Sequence, residues 1–131
     1  MMKRFCPQRY IYGKAKESEL LLKIQNNIGE NITPTEDQYS TKDYTSANYH
    51  IELKSRQIYD SNKYDYWFLP VSKIKNRDVT KKLVIVYHWQ KDDTLWRYDL
   101  NTDDIEEFIL KKNPVGQDTF DIPKKFFKQI T

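Results

Sequence analysis

Apolar and polar residues alternate through Tyr49-His50-Ile51-Glu52-Leu53-Lys54-Ser55-Arg56. Successive side chains of a β-strand point to opposite faces, so this period predicts a strand. Tyr49, Ile51 and Leu53 then point toward a core, and His50, Glu52 and Lys54 form a row on the other side. The preceding segment, Lys42-Asp43-Tyr44-Thr45-Ser46-Ala47-Asn48, reads as a strand and a tight turn, so residues 42–56 make a hairpin. A helical period marks residues 14–28, where Leu20, Leu21, Ile24 and Ile28 form a stripe and Gly29 is a stop. Glu17 stands three and four positions before Leu20 and Leu21, on or beside that stripe, while Glu19 faces solvent more.

The rest of the chain follows by the same reading. Residues 1–12 are a basic, aromatic lead-in, and residues 30–41 are a loop into the sheet. The aromatic run over residues 59–75 supplies core rings and ends in Ser72-Lys73-Ile74. Leu83-Val84-Ile85-Val86-Tyr87 is nearly all apolar and predicts a central strand buried on both faces. Asp92-Asp93 is a turn, and residues 94–100 alternate and pair back as a hairpin. Residues 103–108 open a short helix or turn, Phe120-Asp121-Ile122 is a short strand, and Lys124–Lys128 is a basic terminal helix.

Composition narrows the picture. At 131 residues the chain has the size of a single domain, 1–131, with a real core. Charged residues make up 31% of it, but aromatics at 15% supply enough buried area to exclude a disordered chain. Twenty-two basic residues against 19 acidic ones leave a net charge of +3, which admits nucleic acid as a partner without demanding it. The single Cys6 excludes an intramolecular disulfide, and His50 and His88 stand alone without zinc-ligand spacing. No apolar run follows the basic residues near the start, and none reaches membrane-spanning length. A reducing, intracellular setting is the resulting expectation.

The polar row carries the candidate chemistry. An edge strand with one solvated face gives the same alternation, and Glu-x-Lys is common there. Yet Asp43, nine positions before Glu52, can converge on the row from the hairpin, and Arg56 adds a further cation at its end. Two acids can hold a divalent cation, and with an ammonium beside them the set can activate a water next to a phosphate.

Asp43 followed by Glu52-x-Lys54, after a helix bearing Glu17, resembles the PD-(D/E)XK nuclease superfamily, and His50-Ile51-Glu52-Leu53-Lys54-Ser55-Arg56 is similar to its small phage and viral members. The resemblance covers roughly residues 14–100. Lys42 stands where the family's Pro would precede Asp43. The resemblance implies a restriction-endonuclease-like α/β core, a mixed central sheet flanked by helices. It implies a metal-dependent endonuclease acting on DNA, with structure-selective cleavage and a homodimer among the expectations. Asp43, Glu52 and the carbonyl of Leu53 would hold Mg²⁺ or Mn²⁺, with Glu17 assisting, and Lys54 would stand beside the attacking water. Arg56 and Lys73 would contact phosphates of the substrate. The other reading is a catalytically silent module that binds nucleic acid or protein and keeps the fold.

Overall fold

The computed structural model describes residues 7–35 and 43–130. They form two compact units, residues 1–32 and 33–131. The first is essentially one helix, α1 (Pro7–Ile28). It begins seven residues earlier than the apolar stripe suggested. Proline suits a helix's first turn, where its missing N–H and fixed φ do no harm. The lead-in expected over residues 1–12 is thus helical from Pro7 onward, and its earlier part lies outside the described residues. Gly29 ends the helix at φ 81°, donating its N–H to the Gln25 carbonyl at 2.8 Å. Leu20, Ile24 and Ile28 are buried, as the stripe predicts, and Glu19 is exposed between Lys16 and Lys23.

Among its described residues the second unit holds nine strands. They are β1 (Thr33–Pro34), β2 (Asp43–Thr45), β3 (Tyr49–Arg56), β4 (Tyr66–Pro70), β5 (Lys82–Trp89), β6 (Thr94–Asp99), β7 (Ile109–Lys112), β8 (Asp118–Pro123) and β9 (Lys128–Ile130). A one-turn helix, α2 (Val71–Lys75), separates β4 from β5. The strands make a six-stranded mixed sheet in the order β1-β2-β3-β5-β6-β9 and a three-stranded antiparallel sheet in the order β4-β8-β7. The chain is therefore a mixed α/β protein. Its one parallel pair among the described residues is β3 with β5, and the crossover between them contains β4 and α2.

β3 is an inner strand, held by β2 on one side and β5 on the other. This removes the edge-strand reading of its alternation. Both faces of its middle are buried, from Ile51 through Lys54. The expectation that only Tyr49, Ile51 and Leu53 face a core needs correction. In register, His50, Glu52 and Lys54 lie opposite Leu83, Ile85 and Tyr87 of β5. Those three residues belong to the main hydrophobic cluster, with Trp67 and Leu69 of β4, Ile122 of β8 and Ile74 of α2. The polar row thus lies on the face covered by the small sheet and borders its core.

Trp67 centres that cluster. Its ring lies 4.7–5.5 Å from the rings of Tyr87, Trp89, Trp96 and Phe127, and its indole N–H reaches the Tyr64 carbonyl at 3.1 Å. Phe127, buried in the same cluster, explains the end of the chain. Residues 124–126 make a single 3₁₀ turn, Phe127 anchors, and β9 pairs with the otherwise open edge of β6. The basic terminal helix expected there is replaced by this turn and strand. Backbone pairing along β6 satisfies more main-chain groups than a helix of that length could.

Trp67→Ala removes the ring that four aromatic side chains share. The expected loss is about 3–5 kcal/mol of unfolding free energy, read from urea denaturation. A loss below about 1 kcal/mol would show that the two sheets do not depend on this contact.

Candidate metal and phosphate site

Asp43 and Glu52 are direct register partners across the β2–β3 pair. Opposed residues of an antiparallel pair share a sheet face, so the hairpin register alone sets the two carboxylates side by side. The turn that fixes this register is short. The Ser46 N–H donates to the Tyr49 carbonyl at 2.9 Å, and the Tyr49 N–H returns to Ser46 Oγ at 3.1 Å. His50 and Lys54 flank Glu52 at two-residue spacing on the same face. His50 Nε2 lies 3.6 Å from Asp43 Oδ2 and 4.0 Å from Glu52 Oε2. Lys54 Nζ lies 3.6 Å from Glu52 Oε1.

Lys73 completes the cluster from α2. Its ammonium stands 3.3 Å from Asp43 Oδ2 and 3.3 Å from Glu52 Oε1, bridging the two acids. The sequence reading aimed this lysine at a phosphate of the substrate; in the structure it faces the carboxylates. Arg56 continues the row past Lys54, its guanidinium 4.8 Å from the centre of the Phe68 ring. Leu53 is buried with its side chain on the other face, so only its backbone could join the site. Glu17 is half-buried on α1, in the other compact unit.

Burial governs the charges. Glu52 is fully buried. That burial, with the hydrogen bond to Asp43 and its negative charge, raises the Glu52 carboxyl to about 7. Burial pushes Asp43 upward too, but hydrogen bonds to His50 and Glu52 and the Lys73 charge outweigh it and hold Asp43 at about 2. The pair therefore keeps one proton up to neutral pH. Burial lowers Lys54, against the pull of Glu52. Burial works against the charged form of Lys73 as well, but the two carboxylates prevail and raise it.

The donor set suits a divalent cation. One ligand atom each from Asp43, His50 and Glu52 lie within 4.8 Å of one another. Asp43 Oδ1 is buried and has no hydrogen-bond partner among the described residues, an acceptor that a cation or its water would satisfy. Two carboxylates with one imidazole suit Mn²⁺ as well as Mg²⁺. The sequence reading set His50 aside for lack of ligand spacing. Its place two residues before Glu52, on the same strand face, was the signal that brings it in.

His88 has a different role. It is fully buried, with Nδ1 3.0 Å from Ser55 Oγ and Nε2 3.0 Å from Asp93 Oδ1. Asp93 sits at φ 51°, and Asp92 accepts from the Ser61 backbone N–H and hydroxyl at 3.1 and 2.6 Å. Both acids of the β5–β6 turn thus serve its geometry.

No family model, curated protein or solved structure matches this chain. No helix among the described residues is long and apolar enough to cross a membrane.

Two outcomes follow from the charges. The folded state keeps the Glu52 proton between its ordinary 4.5 and about 7, whereas the unfolded chain releases it. Metal-free stability should therefore fall as pH rises through that window, by roughly 1–3 kcal/mol. Asp43 acts oppositely, its stabilisation being lost as pH falls from 3.8 through about 2. Denaturation across pH should show the fall above 4.5 in the natural protein and its absence in Glu52→Gln; equal slopes would refute the raised carboxyl. The second outcome concerns Lys73. A divalent cation competes with its ammonium for the same oxygens, so Lys73→Met should tighten Mn²⁺ binding by about tenfold in calorimetry, about 1.4 kcal/mol. Weaker binding in Lys73→Met would mean that the lysine supports the ion instead of competing with it.

Proposed function

We propose that the chain is a metal-dependent nuclease that hydrolyses phosphodiester bonds in DNA, built on a restriction-endonuclease-like core. The observation that carries this reading is the convergence of Asp43, Glu52 and Lys54 on one buried face of an inner strand. The core topology supports it. An acid-bearing hairpin, β2–β3, leads through a crossover containing α2 into β5, which lies parallel to β3. The shortness of α2, one turn, departs from the flanking helix that the resemblance implies.

Each residue has work to do in such a reaction. Asp43 and Glu52, with His50, would hold the cation, and Mg²⁺ or Mn²⁺ when bound supplies positive charge that offsets the diester and acidifies water. Glu52 must give up its proton to bind, so activity rises with pH through about 7. Lys54, in a dry setting next to Glu52, orients the attacking water and offsets charge that grows on the phosphoryl oxygens. Lys73, displaced from the carboxylates, becomes free to meet a phosphate. Arg56 offers a planar fork to the next one along. A homodimer is the simplest way for so small a chain to cut both strands.

One observation favours the alternative of a silent binding module. Lys73 already bridges both acids, so the cluster is compensated without an ion. Buried ion pairs of this kind also occur as purely structural features.

Cleavage of supercoiled, linear and branched DNA with Mg²⁺ or Mn²⁺ separates the two. Lys54→Ala should keep divalent-ion binding and lose on the order of a hundredfold or more in rate, while Glu52→Ala should lose both. Equal cleavage by Lys54→Ala and the natural protein would place any activity elsewhere. No cleavage of any substrate by the natural protein would leave the binding module.

A further inference from the structure

The small sheet turns two large aromatic rings outward beside the site. Along β4, Trp67 and Leu69 are buried in the core, whereas Tyr66 and Phe68 alternate to the other face and are 46% and 40% exposed. Folding gains little from these two rings. They lie two residues apart, about 7 Å along the strand. Arg56 covers Phe68 with its guanidinium at 4.8 Å, and Arg56 is the last member of the row His50, Glu52, Lys54. Glu52 to Arg56 spans four residues, roughly 13 Å of strand.

The rings are tied to that row. The Tyr87 hydroxyl donates a hydrogen bond to the Phe68 carbonyl, and Tyr87 is the register partner of Lys54. The Arg56 guanidinium also lies 6.0 Å from the Tyr87 ring centre. The outward face of β4 is therefore held at a fixed distance from the carboxylates. Charged groups of both signs surround it: Arg56 lies over Phe68, Asp121 is the register partner of Phe68 and pairs with Lys111 at 2.9 Å, and Lys125 pairs with Glu107 at 2.9 Å, both lysines being within electrostatic reach of the Tyr66 hydroxyl.

We infer that Tyr66 and Phe68, with Arg56, form a stacking platform for unpaired bases of a nucleic-acid strand that enters the Asp43–Glu52 site. The inference rests on the nuclease reading of that site and narrows its substrate to strands with unpaired nucleotides, such as flaps, branches or single strands. Bases stack on aromatic rings and guanidinium planes whatever their sequence, at about 1–3 kcal/mol each. In a duplex those faces are taken by neighbouring bases about 3.4 Å away on the same strand. Rings about 7 Å apart can each seat a base only if the bases have left that stack. A protein partner would use the same apolar area but would need neither planar rings nor a guanidinium on one of them.

The test is binding without cleavage. A labelled short oligothymidylate and a hairpin duplex of equal length are titrated with the full chain in EDTA, followed by fluorescence anisotropy. The platform predicts tighter binding of the single strand. Phe68→Leu, which keeps the apolar bulk and loses the ring, should weaken it by roughly 5- to 100-fold, and Phe68→Trp should restore it. Photocrosslinking of an iodouridine-substituted oligomer to the natural protein, mapped by mass spectrometry, should mark Tyr66 or Phe68 and needs no variant to fold. Preference for the duplex, or single-strand binding unchanged in Phe68→Leu with no crosslink on β4, overturns the platform and leaves the face to a protein partner. Cleavage decides the nuclease reading separately. Active protein with unaltered Phe68→Leu binding loses only the platform, and inactive protein with ring-dependent binding loses only the nuclease.

Discussion

Two carboxylates cannot be buried side by side unless something compensates their charge. The register of β2 against β3 forces Asp43 and Glu52 into that position, and much of the surrounding structure answers it. Lys73 reaches in from α2, Lys54 stands on the next turn of the pleat, and Glu52 keeps a proton. Replacing such a cluster with apolar side chains of similar volume would often leave a fold equally stable or more so. Clusters that give up stability for what their charges can do are common at functional sites.

The second constraint is mechanical. β3 and β5 run parallel, so the chain must cross over between them, and it uses the crossover to lay down β4 and α2. The same excursion does three things. It delivers Lys73 to the acids, it buries Trp67 and Leu69 against β5, and it turns Tyr66 and Phe68 outward. The aromatic core and the charged cluster therefore share one wall. Tyr87 stands at their boundary, stacked on Trp89 at 5.4 Å, beside Lys54 in register and bonded through its hydroxyl to the Phe68 carbonyl. Loosening the core around Trp67 would blur the position of Lys54 as well.

Much of this was legible in the sequence, and the failures have physical reasons. The alternation in β3, the hairpin before it and the apolar run of β5 were all visible, because each is a local pattern, whereas α2 came only from the family resemblance. Period alone put Glu52 and Lys54 on one face, while the resemblance to the nuclease superfamily set Asp43 beside them; the β2–β3 register is the physical cause of that placement. Which face the core covers did not, because that depends on β4 and β8, distant in sequence and assembled by long-range packing. β7 left no signal, since all four of its residues are exposed and nothing alternates. The chain end misled because three lysines around two phenylalanines fit an amphipathic helix, while the open edge of β6 decided otherwise. The contact of Lys73 with the two acids was not legible, because its partners come from strands about 20 and 30 residues away.

Net charge is the weakest guide to what this molecule would meet. A total of +3 is spread over 131 residues, yet the cations that matter lie within one strand and one helical turn. Around the site, Lys54, Arg56 and Lys73 stand against Asp43 and Glu52, a nearly balanced group. A divalent ion bound there would change that balance in a low-dielectric setting, where a single charge carries much further than in water. On the proposed reading, the same event would free Lys73 from the acids. Attraction for a polyanion would then be switched on by the ion instead of being stored in the composition, and a chain of modest charge could discriminate between an empty and a metal-loaded state. On the inferred stacking, the aromatic face of β4 would need no such switch, because stacking depends on area and planarity and is far less sensitive to salt than a phosphate contact. The two neighbouring surfaces would thus hold a strand by different physics, one through its bases and the other through its backbone.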